Sequence, residues 1–235
     1  MQIPNQNVIP DASASYGLRP QSVLGQYDFL FTLNPTVGCF FGCRHCYSPR
    51  AVCKVHDAKR EFFENVHVKI TKPKLVKKDL KLFSTLPQRM KRVQINETSE
   101  YYLPRVMGFL KDNGHPDVML DILDAFRQEW QAGNRWMLHI LTKSPLILRH
   151  LAELKAMKEQ VQREVSFATG DDSILRKIEF FTPTVRKRMD LVERLSKEGL
   201  FVRIMAMPFY GDAATLRALQ KGTFDRGAQA FKKKS

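Results

Sequence analysis

Apolar residues recur along the chain with two different periods. Runs of strand length occupy 27–34 (YDFLFTLN), 67–70 (HVKI), 92–97 (RVQINE), 136–142 (WMLHILT), 163–169 (REVSFAT) and 200–208 (LFVRIMAMP), and their β-branched and aromatic content suits a pleated, buried surface. Between the later runs the spacing becomes helical. Segment 117–131 places apolar residues at 118, 119, 120, 122, 123, 125 and 126, 145–157 repeats the pattern, and 184–197 is stopped by Gly199. Thr182 before Pro183 predicts a helix N-cap with proline at the first helical position, and Asp171 predicts the cap of a shorter helix before it.

Strands alternating with helices predict an α/β fold. Its sheet is parallel with right-handed crossovers, doubly wound or curled into a barrel. Either way the functional residues lie at the C-terminal edge of the strands, where Cys39, Ser99, Lys143 and Thr169 emerge. Residues 1–26 contain Pro4, Pro10 and Pro20 and have no period, which predicts an arm draped on a single domain over 27–235. No internal repeat is present, and low complexity is confined to the lysines of 232–234.

Composition narrows the class. With 235 residues, 43% of them hydrophobic and 26% charged, the chain can bury a full core without disulfide staples. No stretch approaches the roughly 18 apolar residues of a membrane span, and the first residues lack both a basic n-region and an apolar h-region. A cytoplasmic protein without a membrane partner is expected. The net charge of +14 is concentrated at 69–92, where Lys69, Lys72, Lys74, Lys77, Lys78, Lys81, Arg89, Lys91 and Arg92 crowd together. Two readings stand: a nucleic-acid or other polyanionic partner, or a solvated helix face with few aromatics for base stacking.

The four cysteines lie within fifteen positions of one another, which in a reducing compartment indicates metal rather than disulfides. Cys39-x3-Cys43-x2-Cys46 offers three thiolates, one short of a tetrahedral zinc site or a fully ligated cubane. A 4Fe-4S cluster held by three cysteines leaves one iron open, able to chelate the amino and carboxylate groups of S-adenosylmethionine. The rival is a zinc site completed by Cys53, His45 or His56, which would make the chain a metal-containing nucleic-acid-binding module without turnover; no second cysteine pair supports it.

LNPTVGCFFGCRHCYSPR resembles the N-P-x-x-G-C-x3-C-x2-C-Y signature of the spore photoproduct lyase-like family of radical S-adenosylmethionine proteins, and the likeness continues downstream. TSEYYLP (98–104), LTKSPLILRHLAEL (141–154), VSFAT (165–169) and EFFTPTVRKRMDLVERLSKEGL (179–200) resemble further family segments, so that roughly 24–230 is covered. The resemblance implies a partial (β/α)6 TIM-type barrel with the cluster in the loop after the first strand. The chain ends about where a sixth strand should begin, so the barrel is expected to be open or cut short.

The resemblance also implies that Tyr47 lies against the adenosine, that Ser99 and Lys143 contact the methionine moiety, and that Ser166 approaches the ribose. Arg188 matches a family arginine, although an ion pair with Asp190 or Glu193 on the helix surface explains it equally. A one-electron reductant such as flavodoxin or ferredoxin would be required, with hydrogen abstraction from an unidentified, nucleic-acid-type substrate. At the position of the family's hydrogen-returning cysteine this chain has Glu97, which cannot donate a hydrogen atom in that way and is expected instead to act as a base or to bind a cationic group.

Overall fold

The computed structural model describes residues 6–21, 30–53 and 56–233. The strands are β1 (Asn7–Asp11), β2 (Arg19–Pro20), β3 (Phe31–Leu33), β4 (Thr36–Val37), β5 (Asn65–Lys69), β6 (Arg92–Ile95), β7 (Met137–Thr142), β8 (Val161–Ser166), β9 (Val202–Ala206) and β10 (Ala230–Lys233). The helices are α1 (Ser48–Val52), α2 (Ala58–Glu64), α3 (Lys72–Leu82), α4 (Pro104–Asp112), α5 (Val118–Gln131), α6 (Leu151–Ala156), α7 (Asp172–Ile178), α8 (Val185–Lys197) and α9 (Ala213–Asp225). None is long and apolar enough to cross a membrane among the described residues.

Six strands run parallel in the order β3-β6-β7-β8-β9-β10, with β2 antiparallel on the outer side of β3. This is the partial (β/α)6 arrangement, left open because β3 pairs on its outer side with β2 and, among the described residues, not with β10. The sixth strand is therefore present, and the expectation of a barrel cut short is corrected: Ala230–Lys233 pairs in register with Arg203–Ala206 of β9. The run at 67–70 is also placed differently. It belongs to β5, which leaves the main sheet for a smaller one in the order β1-β5-β4. Residues 7–11 and 19–20 of the expected arm are themselves strand-paired, to β5 and β3; the start of the run at 27–34 lies outside the described residues.

Alternation along the parallel strands separates two faces. Val93, Ile95, Leu138, Ile140, Val165, Val202 and Ile204 are fully buried under the helices. Gln94, His139, Glu164 and Arg203 lie on the other face, where Glu164 Oε2 accepts from Gln94 Nε2 at 3.0 Å and Oε1 from Arg203 Nε at 2.9 Å. Ser166 is the next residue of β8 on that polar face, so the row leads to the C-terminal edge. Asp171 caps α7 as expected, its carboxylate accepting from Ser173 N. The cap of α8 is Thr184 rather than Thr182, because the Thr182 hydroxyl is drawn to the buried Glu179 carboxylate at 3.2 Å.

Candidate active site at the C-terminal edge

The cysteine loop is fixed from both sides before any ligand is considered. Gly38 adopts φ +98°, and a Cβ there would stand 2.0 Å from the Asn65 carbonyl oxygen, so only glycine fits. Cys39 N donates to Phe62 O at 2.9 Å, Arg44 N to Ile178 O at 2.8 Å, and Phe181 N to Phe41 O at 3.1 Å. Phe40 and Phe41 are buried, which anchors the loop between α2 and the α7–α8 connection.

A cavity opens above this loop, with about 760 Å³ of empty space including its open mouth. Cys39, Cys43, Cys46, Tyr47, Glu97, Ser99, Lys143 and Ser166 all line it, from the loop and the ends of β6, β7 and β8. Thr169 does not; it is buried and accepts from Asp171 N in its own turn. Cys53 lines a separate cavity beside Gly38 and His67, and His56 is exposed.

The lining residues differ in how freely they can meet a ligand. Tyr47 is 58% exposed and its hydroxyl reaches Glu97 O at 3.5 Å. The Ser99 hydroxyl donates to Thr36 O at 2.9 Å and accepts from Thr36 Oγ1 at 3.0 Å, so its remaining capacity is a lone pair rather than a proton. Burial pushes the Glu97 carboxyl up, against Gln21 and Arg19. Burial likewise pushes the Cys43 thiol up to about 12, with Lys143 opposing, and Cys39 well above its ordinary value.

Beneath the cysteines lies a charged cluster that spacing alone did not reveal. Lys143 Nζ stands 3.3 Å from Glu179 Oε1 and 3.7 Å from Cys43 Sγ. Burial alone would raise the Glu179 carboxyl, but Lys143 and Arg188 hold it down to about 2. Arg188 is fully buried, pairs with Glu179, and donates to Ser166 O at 2.8 Å and Pro183 O at 3.1 Å. The surface ion pair to Asp190 or Glu193 is thus replaced by an interior one. Glu100 is similarly sunk, accepting from Tyr102 N, Thr142 Oγ1 and Lys143 N at 2.9–3.0 Å. Asn96 is 3% exposed, lines the cavity, and has neither amide atom bonded to another protein group.

The Radical SAM superfamily model matches residues 33–221, and the chain belongs to this superfamily. An uncharacterized protein of Mycobacterium tuberculosis (strain ATCC 25618 / H37Rv) is 26% identical over 192 residues, covering 77% of this chain and 49% of its own length. An uncharacterized protein of Acidianus two-tailed virus is 24% identical over 188 residues, with 77% and 56% covered. The chain spans about half the length of the curated relatives it matches. Among solved structures, a spore photoproduct lyase mutant with bound AdoMet and dinucleoside spore photoproduct superimposes with a TM-score of 0.69 at 12% identity, covering 98% of this chain and 66% of the other. SuiB of Streptococcus suis bound to S-adenosylmethionine gives 0.58 at 16% identity, with 88% and 40% covered. At these identities the structures share the fold.

Superfamily membership implies S-adenosylmethionine and an iron-sulfur cluster, and the residues present fit both. All four cysteines are free thiols. A single tetrahedral zinc holds its thiolates about 3.8 Å apart, given a Zn–S bond of about 2.3 Å. Among the described residues the three ligand atoms converging within 4.8 Å are those of Cys43, His45 and Glu179, not the three thiols, so the thiol triplet is more open than one zinc requires. The converging trio is a poor cation site in turn, because Glu179 is already paired with Arg188 and Lys143.

Proposed function

We propose that this chain is a cytoplasmic radical S-adenosylmethionine enzyme acting on a nucleic-acid substrate, with Cys39, Cys43 and Cys46 holding a 4Fe-4S cluster whose fourth iron is open to the cofactor. When bound, the cluster and cofactor supply reductive cleavage to a 5'-deoxyadenosyl radical that abstracts hydrogen from the substrate, the electron coming from a carrier such as flavodoxin or ferredoxin. The chain's own residues bind and orient. Lys143 presents an ammonium to the cofactor carboxylate, Ser99 a lone pair to its amino group, Tyr47 a ring to the adenosine at the rim, and Ser166 a hydroxyl to the ribose. Glu97, at the same edge with its carboxyl raised by burial, is the candidate base.

One observation carries this reading: residues from four separate segments, each placed by its own backbone, line a single cavity with the three thiols. The substrate class is supported by a second groove lined by exposed Arg44, Arg50 and Lys59, which shares His45, Cys46 and Tyr47 with the loop, and by the dinucleoside seen in the spore photoproduct lyase structures. Anaerobic reconstitution with iron and sulfide, followed by electron paramagnetic resonance, tests it. A 4Fe-4S signal that changes on adding S-adenosylmethionine and is lost in Cys43→Ala is expected. Uptake of zinc without iron, or a cluster indifferent to the cofactor, would refute the reading and favour the binding module.

A further inference from the structure

We propose that the Lys143 ammonium serves the cluster as well as the cofactor: by donating to the Cys43 sulfur it raises the reduction potential of the cluster, and the buried Glu179–Arg188 pair holds it there. This rests on the cluster assignment above. The geometry is a short chain of charges in the interior. Arg188 is immobilised by two backbone carbonyls, those of Ser166 and Pro183, and by Glu179. Glu179 is immobilised by Arg188 and by the Thr182 hydroxyl at 3.2 Å. Its other oxygen, Oε1, makes no hydrogen bond but stands 3.3 Å from Lys143 Nζ and 3.6 Å from His45 Nε2; its charge holds the ammonium where it lies 3.7 Å from Cys43 Sγ, within N–H···S range.

An ammonium has three N–H groups. Cys43 takes one and Glu179 attracts the ammonium by charge alone, so N–H groups are left for an acceptor in the cavity that Lys143 lines, and one side chain can touch cofactor and cluster ligand together. The sign of its effect on the cluster follows from charge. Reduction adds one negative charge, and a cation hydrogen-bonded to a ligating thiolate favours the more negative state; hydrogen bonds to sulfur are among the levers that set iron-sulfur potentials. Glu179 and Arg188 are fully buried and Cys43 is 7% exposed, so the contact lies in a medium less polar than water, which strengthens it.

The test is a redox titration of the reconstituted protein, monitored by electron paramagnetic resonance without S-adenosylmethionine so that no cofactor contact contributes. At a fixed ambient potential, Lys143→Met should show a reduced-to-oxidised ratio roughly tenfold below the wild type, about 59 mV for one electron. Lys143→Gln should fall between them, and Lys143→Arg should stay near the wild type. Equal midpoints for the wild type and Lys143→Met at equal iron content would overturn the proposal. So would failure of both neutral variants to assemble a cluster that Lys143→Arg assembles, since the ammonium would then be an assembly requirement. A wild type that takes up no iron defeats the enzyme reading itself, a separate result.

Discussion

Asn96 is placed at odds with its own energetics. It takes φ 62°, the left-handed region that asparagine tolerates better than most residues but glycine better still. Its amide is buried without a protein partner, which costs about 1–3 kcal/mol. Such an arrangement at a cavity wall is expected where a ligand completes the bonding. Asn96→Gly should therefore raise the thermal midpoint of the cluster-free protein by roughly 2–4 °C, about 1 kcal/mol, while weakening S-adenosylmethionine about tenfold in a titration of the loaded protein. A lower midpoint with an unchanged titration would show that the amide is merely structural. The cysteines, Tyr47, Ser99, Lys143 and Ser166 could be singled out in the sequence because they sit in spaced motifs. Asn96, Glu100 and Glu179 received no role there, since their meaning depends on distant partners: Glu100 meets Thr142 and Lys143, and Glu179 meets Lys143, across crossovers that spacing does not encode. Glu100 and Glu179 do fall within the family-like segments at 98–104 and 179–200, and Glu179 is also an acid set among apolar neighbours, Ile178-Glu179-Phe180, which marks a buried carboxylate in need of a cation.

Elements are joined here by capping groups that do more than cap. Asp117 begins α5 by accepting from Met119 N and Leu120 N at 3.1 and 3.2 Å. It also accepts from the Tyr101 hydroxyl at 2.7 Å and lies 3.1 Å from His150 Nε2. Segment 98–104, α5 and the 3₁₀ turn Pro145–His150 are thereby locked together. Burial alone would raise the Asp117 carboxyl, but the bonds from His150 and Tyr101 hold it down to about 2. The folded value lies below the ordinary 3.8, so the stabilisation is complete above about pH 4 and lost as pH falls through 2, on the order of 2 kcal/mol. Denaturant titrations from pH 6 to pH 2 should show the wild type losing this amount relative to Asp117→Asn within that window; parallel curves would remove the carboxylate from the account. The main strands could be read from the sequence because each sets aliphatic, largely β-branched residues at alternate positions on its buried face, among them Val93 and Ile95, Leu138 and Ile140, and Val202 and Ile204. β10 could not: AFKK (230–233) is an edge strand of four residues with only β9 beside it, so it needs no such run. The run at 67–70 has the composition of a barrel strand, yet β5 is paired along its whole length with β1 and, on its other side, with the two residues of β4 that follow Pro35.

At the scale of the whole molecule, where the net charge is +14, two groups of exposed cations differ in where they lie. Lys74, Lys77, Lys78 and Lys81 are exposed on α3, whose Val76 and Leu80 are buried, and none of them lines the cavity; this is the solvated helix face that the crowding of 69–92 admitted. Arg44, Arg50 and Lys59 are fewer but lie along the groove that meets the cluster loop at His45, Cys46 and Tyr47. A nucleic acid seated for hydrogen abstraction must lay its backbone near that loop, so the smaller population should carry productive binding. Single strands lose about 0.7 in the log–log salt slope per phosphate contact, so three contacts amount to about 2. Anisotropy titrations of a single-stranded oligonucleotide between about 50 and 200 mM salt should show the Arg44→Ala, Arg50→Ala, Lys59→Ala triple variant with a slope shallower by about 2. Alanines at Lys74, Lys77, Lys78 and Lys81 should leave the slope as it is. If the α3 variant flattens the slope and the groove variant does not, the charge acts diffusely and the groove is not the track. A wild type with no salt dependence removes nucleic acid as the substrate class while leaving the cluster chemistry untouched, because Arg44, Arg50 and Lys59 are not among the residues that line the cavity with the thiols.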